Sequence, residues 1–289
     1  MSLFLTKKIL KKYNFRPVKY RGQNFLISKK VLKKIIKVSR LNQSDTVLEV
    51  GAGLGFLTKE LAKRAKRVIA VEIDKNLTAI LKEELKETDN LKIINTDILK
   101  ADIKNWGLKK EKYKVIANLP YHITSRFLRQ FLGEKIRPQE MILMVQKEVA
   151  ERITALPGKM SLLSVSCQFY ADCQIAGWVG RKNFWPPPQV DSAIIKLKIR
   201  NFLEQNKLNF SSNKNAQINE QLFFKIVKAG FSNKRKKLFN NLIKNFNNKE
   251  KIKKIFNQLK FKEGIRAQDL GMQDWLNLYF YMVAEKLIK

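Results

Sequence analysis

From residue 31 to residue 199, apolar side chains recur first at helical spacing and then in short unbroken runs, and the two patterns alternate. Val31–Val38 has helical period, and Thr46-Val47-Leu48-Glu49-Val50 is a compact strand ending in glycines. Leu57–Lys66 is again helical, Val68–Ile73 a second strand, Leu77–Leu85 a helix, Leu91–Asn95 a third strand and Tyr113–Ala117 a fourth. One more helix precedes Met141–Val145, and further strands are expected at Cys173–Val179 and Ala193–Ile199. Strands separated by single helices predict right-handed βαβ units and a mainly parallel sheet, hence an α/β fold.

The pattern breaks twice. Residues 1–21 form a basic lead-in with Lys7, Lys8, Lys11, Lys12, Arg16, Lys19 and Arg21, readable as a solvated tail or as an arm for RNA phosphates. Residues 202–219 are rich in Asn, Ser and Lys without periodicity and read as a linker. Beyond them the pattern is helical and very basic, with no strand signal. The expected organisation is a basic segment (1–21), an α/β domain (22–201), a linker (202–219) and a small α-helical domain (220–289).

Charge then narrows the class. The 289 residues carry 58 Lys+Arg against 25 Asp+Glu, a formal +33, although abundant Lys, Asn, Ile and Phe also suggest an AT-rich coding bias. So basic a chain points to a polyanionic partner, because each phosphate contact releases condensed counterions. No apolar run reaches the ~18 residues of a membrane span. Met1–Leu5 is too short for a signal-peptide core, so a cytoplasmic protein is expected. Cys167 and Cys173 lack metal-clip or redox spacing and read as inert thiols. His122 is the single histidine, which excludes His-based triads and multi-histidine metal sites, and no metal is expected.

Two segments carry candidate chemistry. Val47-Leu48-Glu49-Val50-Gly51-Ala52-Gly53-Leu54-Gly55 runs from strand through a glycine turn into a helix. The dinucleotide fingerprint would need glycine at position 56, where Phe56 stands. Glu72 ends the next strand, where a carboxylate can accept from both hydroxyls of a ribose. Asp97 follows the third strand, placed to accept from an adenine amine. Taken singly, Glu72 and Asp97 read equally as surface carboxylates; as an ordered set on successive strand ends they fit S-adenosylmethionine.

The second segment is Asn118-Leu119-Pro120-Tyr121, at the end of the fourth strand. An adenine N6 amine is a poor nucleophile because its lone pair is delocalised into the ring. The Asn118 amide oxygen and a backbone carbonyl held by Pro120 can each accept one N6–H, turning the lone pair toward a sulfonium methyl by positioning alone. Tyr121 offers a face for the base. In isolation the four residues also read as a turn before a helix starting at Thr124 or Ser125.

These segments, in order, resemble the ribosomal RNA adenine N6-dimethyltransferases. The resemblance rests on Gly22-Gln23-Asn24-Phe25-Leu26, V-L-E-V-G-A-G-L-G-F-L-T (47–58), V-E-I-D (71–74), T-D-I-L (96–99) and N-L-P-Y-H-I-T-S (118–125). It continues through Gln146–Arg152, F-W-P-P-P-Q-V-D-S-A (184–193), G-F-S-N-K-R-K-K-L (230–238) and I-R-A-Q-D-L (265–270), nearly the whole chain. The resemblance implies a Rossmann-like methyltransferase sheet with a small helical RNA-binding domain, and S-adenosyl-L-methionine as cofactor. Gln23, Asn24, Leu26, Gly51, Gly53, Glu72, Ile73, Asp97, Ile98 and Asn118 would bind it. Asn118, Leu119, Pro120 and Tyr121 would handle the acceptor amine, with Phe184 stacking on the base opposite Tyr121.

The small-subunit branch of the family dimethylates two adjacent adenosines in a 3′-terminal hairpin loop, near the end of subunit assembly. The expected partner is therefore small-subunit (16S) ribosomal RNA in a nearly assembled particle, met by a monomer. The rivals are the large-subunit, macrolide-resistance type and an assembly factor without turnover. The P-P-P-Q-V-D-S run (186–192) and the basic F-S-N-K-R-K-K-L segment (231–238) favour the small-subunit type. His122, where Asn is common, and bulky Trp185 depart from the family pattern; Trp185 would be a second stacking surface or packing.

Overall fold

The computed structural model describes residues 2–18, 22–200 and 218–288. The chain falls into two compact units, Met1–Glu151 with Ala171–Ile199, and Arg152–Tyr170 with Arg200–Lys289. Lys19, Arg21 and the linker residues 202–217 lie outside the described residues.

The first unit is built on a seven-stranded sheet. Its strands are β2 (Thr46–Val50), β3 (Arg67–Glu72), β4 (Leu91–Asn95), β5 (Tyr113–Asn118), β6 (Glu140–Gln146), β7 (Ala171–Val179) and β9 (Ser192–Ile199), in the spatial order β4-β3-β2-β5-β6-β9-β7. The first five are parallel, and β9 and β7 close one side antiparallel. Val68, Ile69, Ala70 and Val71 are all at most 2% exposed, which is why β3 reads as an unbroken apolar run: helices cover both faces of a parallel strand. From β2 the chain winds outward through β3 to β4, then returns to β5 on the other side of β2. The switch point between β2 and β5 is where such sheets bind ligands, at the carboxyl ends of the strands.

Helix starts follow local chemistry. Ser28 accepts from the Val31 N–H at the head of α2 (Lys29–Ser39), and Val31, Leu32 and Ile35 form its buried stripe. Asp74 accepts from Asn76 and Leu77 N–H groups to start α4 (Lys75–Glu84). Gly55, at φ 77°, begins α3 (Phe56–Ala62); a Cβ there would lie 2.5 Å from Leu81 Cδ1.

The basic lead-in is not an extended tail over its first part. Leu3–Lys12 is a helix, α1, capped by Ser2. Its Ile9 and Leu10 join Phe25, Leu54, Leu77 and Ile80 in an apolar cluster, with Trp185 packed against it. Lys12 Nζ and Tyr13 Oη each donate to Glu84 Oε1 at 2.8 Å. A two-stranded sheet pairs β1 (Phe25–Leu26) with β8 (Phe184–Trp185), so Trp185 is packing.

The second unit is helical: α7 (Leu162–Tyr170) and the helices Glu220–Gly230, Leu238–Phe246, Lys249–Gln258 and Met272–Ala284. Sequence patterning leaves residues 152–170 with the sheet. Their side chains place them elsewhere: Phe169 stacks on Phe223 at 4.6 Å, and the Tyr170 hydroxyl donates to Glu220 at 2.7 Å. No helix among the described residues is long and apolar enough to cross a membrane, and no cluster of His, Cys, Asp and Glu among them could hold a metal.

Candidate cofactor and acceptor site

A cavity of about 510 Å³ opens at the carboxyl ends of β2, β3, β4 and β5. Gln23, Asn24, Leu26, Gly51, Gly53, Glu72, Ile73, Asp97, Ile98 and Asn118 all line it. Pro120 lines it too, whereas Leu119 is 1% exposed and Tyr121 and Phe184 are not part of its wall.

Glu72 is the anchor of the glycine turn. Its Oε2 accepts from Gly53 N–H at 2.9 Å and its Oε1 from Asp74 N–H at 3.0 Å. Each carboxylate oxygen retains a lone pair for an incoming hydroxyl. Burial raises its pKa, and the two backbone N–H bonds oppose that rise. Gly51 stands at φ 74°, and a Cβ there would meet Pro120 Cδ at 3.3 Å. A side chain at 51 would therefore press on the acceptor motif itself. Asp97 accepts from Leu99 N–H at 3.0 Å, and Ile73, 62% exposed, offers an apolar face beside these carboxylates.

Asn118 is oriented by the N-terminal segment. Its Nδ2 donates to the Asn24 carbonyl at 3.3 Å, which leaves Oδ1 as an acceptor. The Pro120 carbonyl accepts from Ile123 N–H at 3.2 Å, closing the turn before α5 (Thr124–Gly133). Tyr121 is half-buried, its hydroxyl 2.8 Å from Ser192 Oγ, and burial raises its pKa. Gln23 lines the cavity with its amide occupied by Val18 N–H and Asp74. Phe184 is 2% exposed and packs in the core with Leu26 and Val31. To meet a base its ring has to leave that packing.

Sequence reasoning passed over Glu49. It lines the cavity, is 1% exposed, and its Oε2 has no hydrogen-bond partner; the nearby Thr58 Oγ1 is likewise without one. Burial pushes its carboxyl up to about 8, a rise that the neighbouring Thr58 hydroxyl and N–H oppose only in part, the hydroxyl falling short of a hydrogen bond to Oε2. A lone charge in an otherwise apolar strand was the available signal. His122 and Ile123 also line the mouth.

The electrostatics select the ligand. The chain has 58 Lys+Arg, yet among the described residues none lines this cavity, whereas Glu49, Glu72 and Asp97 do. A pyrophosphate cofactor would meet the Glu72 and Asp97 carboxylates and no cation, while a sulfonium bearing an ammonium group finds counter-charges there and would favour the ionised form of Glu49.

A Rossmann-like sheet with an acidic, glycine-rimmed cavity at its switch point, and the Asn118 amide on its wall, is the architecture of a methyltransferase that uses S-adenosyl-L-methionine. The comparisons agree. Residues 14–283 match the family model described as ribosomal RNA adenine dimethylase, and the chain belongs to that family. It is 40% identical to the ribosomal RNA small subunit methyltransferase A of Clostridioides difficile (strain 630), over 93% of this chain and 92% of that one. A dimethyladenosine transferase from Plasmodium falciparum has a similar structure, with TM-score 0.75 and 26% identity over 91% of this chain and 98% of the other. The 23S rRNA methyltransferase ErmE is similar as well, with TM-score 0.71 and 25% identity over 90% and 100%.

The residues lining the cavity fit the donor: Glu72 would hold a ribose, Asp97 a purine amine and Ile73 and Ile98 the faces of that purine, with Glu49 on the side of a cation. When bound, the donor supplies an electrophilic methyl. Glu72→Ala is expected to weaken donor binding about 10- to 100-fold, the loss of two hydrogen bonds to a charged group. Titration calorimetry checks this; an unchanged dissociation constant contradicts the ribose role.

Proposed function

We propose that this protein dimethylates N6 of two adjacent adenosines in the 3′-terminal hairpin loop of small-subunit (16S) ribosomal RNA, in the cytoplasm and late in subunit assembly. The carrying observation is the Asn118 amide, whose nitrogen is held by the Asn24 carbonyl so that its oxygen is free beside a cavity that suits a cationic donor.

Asn118 Oδ1 accepts one N6–H. A backbone carbonyl of this turn, held in place by Pro120, accepts the other. Held on both hydrogens, the amine directs its lone pair at the methyl. No general base is required, because the proton can leave to water after transfer. The acceptor must be unpaired or extruded to reach these groups. Tyr121 and Phe184 are assigned to its two faces, Phe184 after leaving its core position.

RNA capture falls to exposed cations. In the second unit, Lys234, Arg235, Lys236 and Lys237 form an exposed basic loop between two helices. RNA affinity is expected to fall at least ~100-fold between 50 and 200 mM salt, as for a surface neutralising several phosphates. Filter binding across that range checks it; a flat response would make the charge excess compositional.

The decisive experiment treats small subunits lacking the modification, and separately the naked RNA, with purified protein and donor, then maps dimethyladenosine. Modification of two adjacent adenosines in the 3′-terminal hairpin is expected, with the assembled particle preferred. Modification of large-subunit RNA instead would favour the ErmE-like reading. RNA binding without methyl transfer would favour an assembly factor, which the intact cavity opposes.

A further inference from the structure

Trp178 lies on β7, the outermost strand of the sheet, and is 54% exposed. Trp275 is fully buried and Trp106 and Trp185 are partly so, which leaves Trp178 as the one indole open to solvent among the described residues. Large aromatic surfaces normally find cover, and a solvent-facing one flanked by cations marks a binding surface. The strand is irregular between Ile175 and Gly177, immediately before the tryptophan, a kind of break that re-aims a side chain.

The surroundings say what would cover it. Lys147 Nζ stands 5.6 Å from the centre of the indole ring, within cation–π reach. Its ion pair with Glu151 spans 4.0 Å between two exposed side chains and holds it only weakly. The turn after β7 exposes Arg181 and Lys182, while the nearby Asp191 carboxylate is occupied by the Arg181 N–H at 2.8 Å. An aromatic face with exposed cations beside it suits an unpaired nucleobase and its phosphates.

Position adds the second line of support. Trp178 pairs with Ala193, and the next pair is Val179 with Ser192. Ser192 Oγ is 2.8 Å from the Tyr121 hydroxyl, so a single serine links this strand pair to the acceptor motif. The indole thus stands at the same end of the sheet as Asn118, three strands across it, on the face opposite to the Ser192 hydroxyl.

We propose that Trp178 and Lys147 form a stacking platform for an unpaired RNA base neighbouring the acceptor adenosine, with Arg181 and Lys182 meeting the adjoining phosphates. The platform deepens the proposed function and rests on it for the identity of the RNA. It holds the strand on one side of the target, so that the reacting base is the one delivered to the Asn118 turn.

The test measures binding of wild type, Trp178→Ala and Trp178→Phe to two probes. One is the 3′-terminal small-subunit hairpin, intact or with single abasic positions flanking the target. The other is an unstructured single-stranded RNA oligonucleotide. Trp178→Ala is expected to weaken both on the order of 10-fold, and Trp178→Phe to recover most of the loss. One flanking abasic position should weaken wild type by a similar factor and leave Trp178→Ala unaffected. Unchanged donor affinity shows that the variant is folded. Equal RNA affinities of wild type and Trp178→Ala overturn the platform, as do equal abasic effects in both proteins. If wild type fails to methylate unmodified small subunits, the proposed function falls, while the single-stranded probe still decides the platform.

Discussion

Asn118→Ala is expected to lower the rate of methyl transfer about 10²- to 10³-fold, the usual cost of losing one positioned group that acts on the reacting centre. RNA affinity should stay within about twofold, because the basic surfaces are untouched. The same side chain donates to the Asn24 carbonyl, so some loss of donor affinity is expected as well. That loss should be far smaller than the fall in turnover, since the cavity keeps Glu72 and Asp97. Single-turnover transfer of a radiolabelled methyl group, alongside calorimetry for the donor, separates the two. Near-normal turnover would end the proposed mechanism, and an equal fall in both would make Asn118 a cofactor ligand alone.

The second large effect concerns stability. Glu49 is buried without a partner for Oε2, and its carboxyl is pushed up to about 8. The folded donor-free protein therefore holds this proton more tightly than the unfolded chain does. Its contribution is fully present below the ordinary glutamate range, declines as pH rises, and is gone above about 8. Within that window the decline approaches about 1.4 kcal/mol per pH unit. Glu49→Gln keeps the shape without the charge, so its stability should come closest to wild type below about pH 4 and exceed it by several kcal/mol near pH 8.5. Denaturant unfolding of both proteins across this range reads the difference, in which the other titrating groups cancel. Parallel pH curves would show that Glu49 finds a partner or water.

Much of the fold was legible because a parallel strand buried on both faces leaves an unbroken apolar run, as at Val68–Val71. The cavity was legible because its parts sit on successive strand ends, where sequence order and spatial order coincide. Departures arise where position depends on distant partners. Helix α1 was hidden by its lysines, although Thr6, Ile9, Leu10 and Tyr13 keep helical spacing and the first three are buried. Residues 152–170 lie between two strands of the sheet, and nothing local says that Phe169 packs against Phe223. The burial of Phe184 follows from its pairing with Leu26, more than 150 positions earlier, which no window of sequence contains.

That last pairing has a consequence for synthesis. The cavity wall contributed by residues 22–26 is fixed by β1 pairing with β8, Leu26 to Phe184 and Phe25 to Trp185. On a translating ribosome the first helix emerges early and must wait until β8 follows it out before this wall can close. A nascent chain stopped short of residue 184 already carries Gly51, Glu72, Asp97 and Asn118 and still lacks the strand that pins Leu26 in place. Full competence to hold the donor is therefore expected late in the making of the chain, well after its signature residues have been joined.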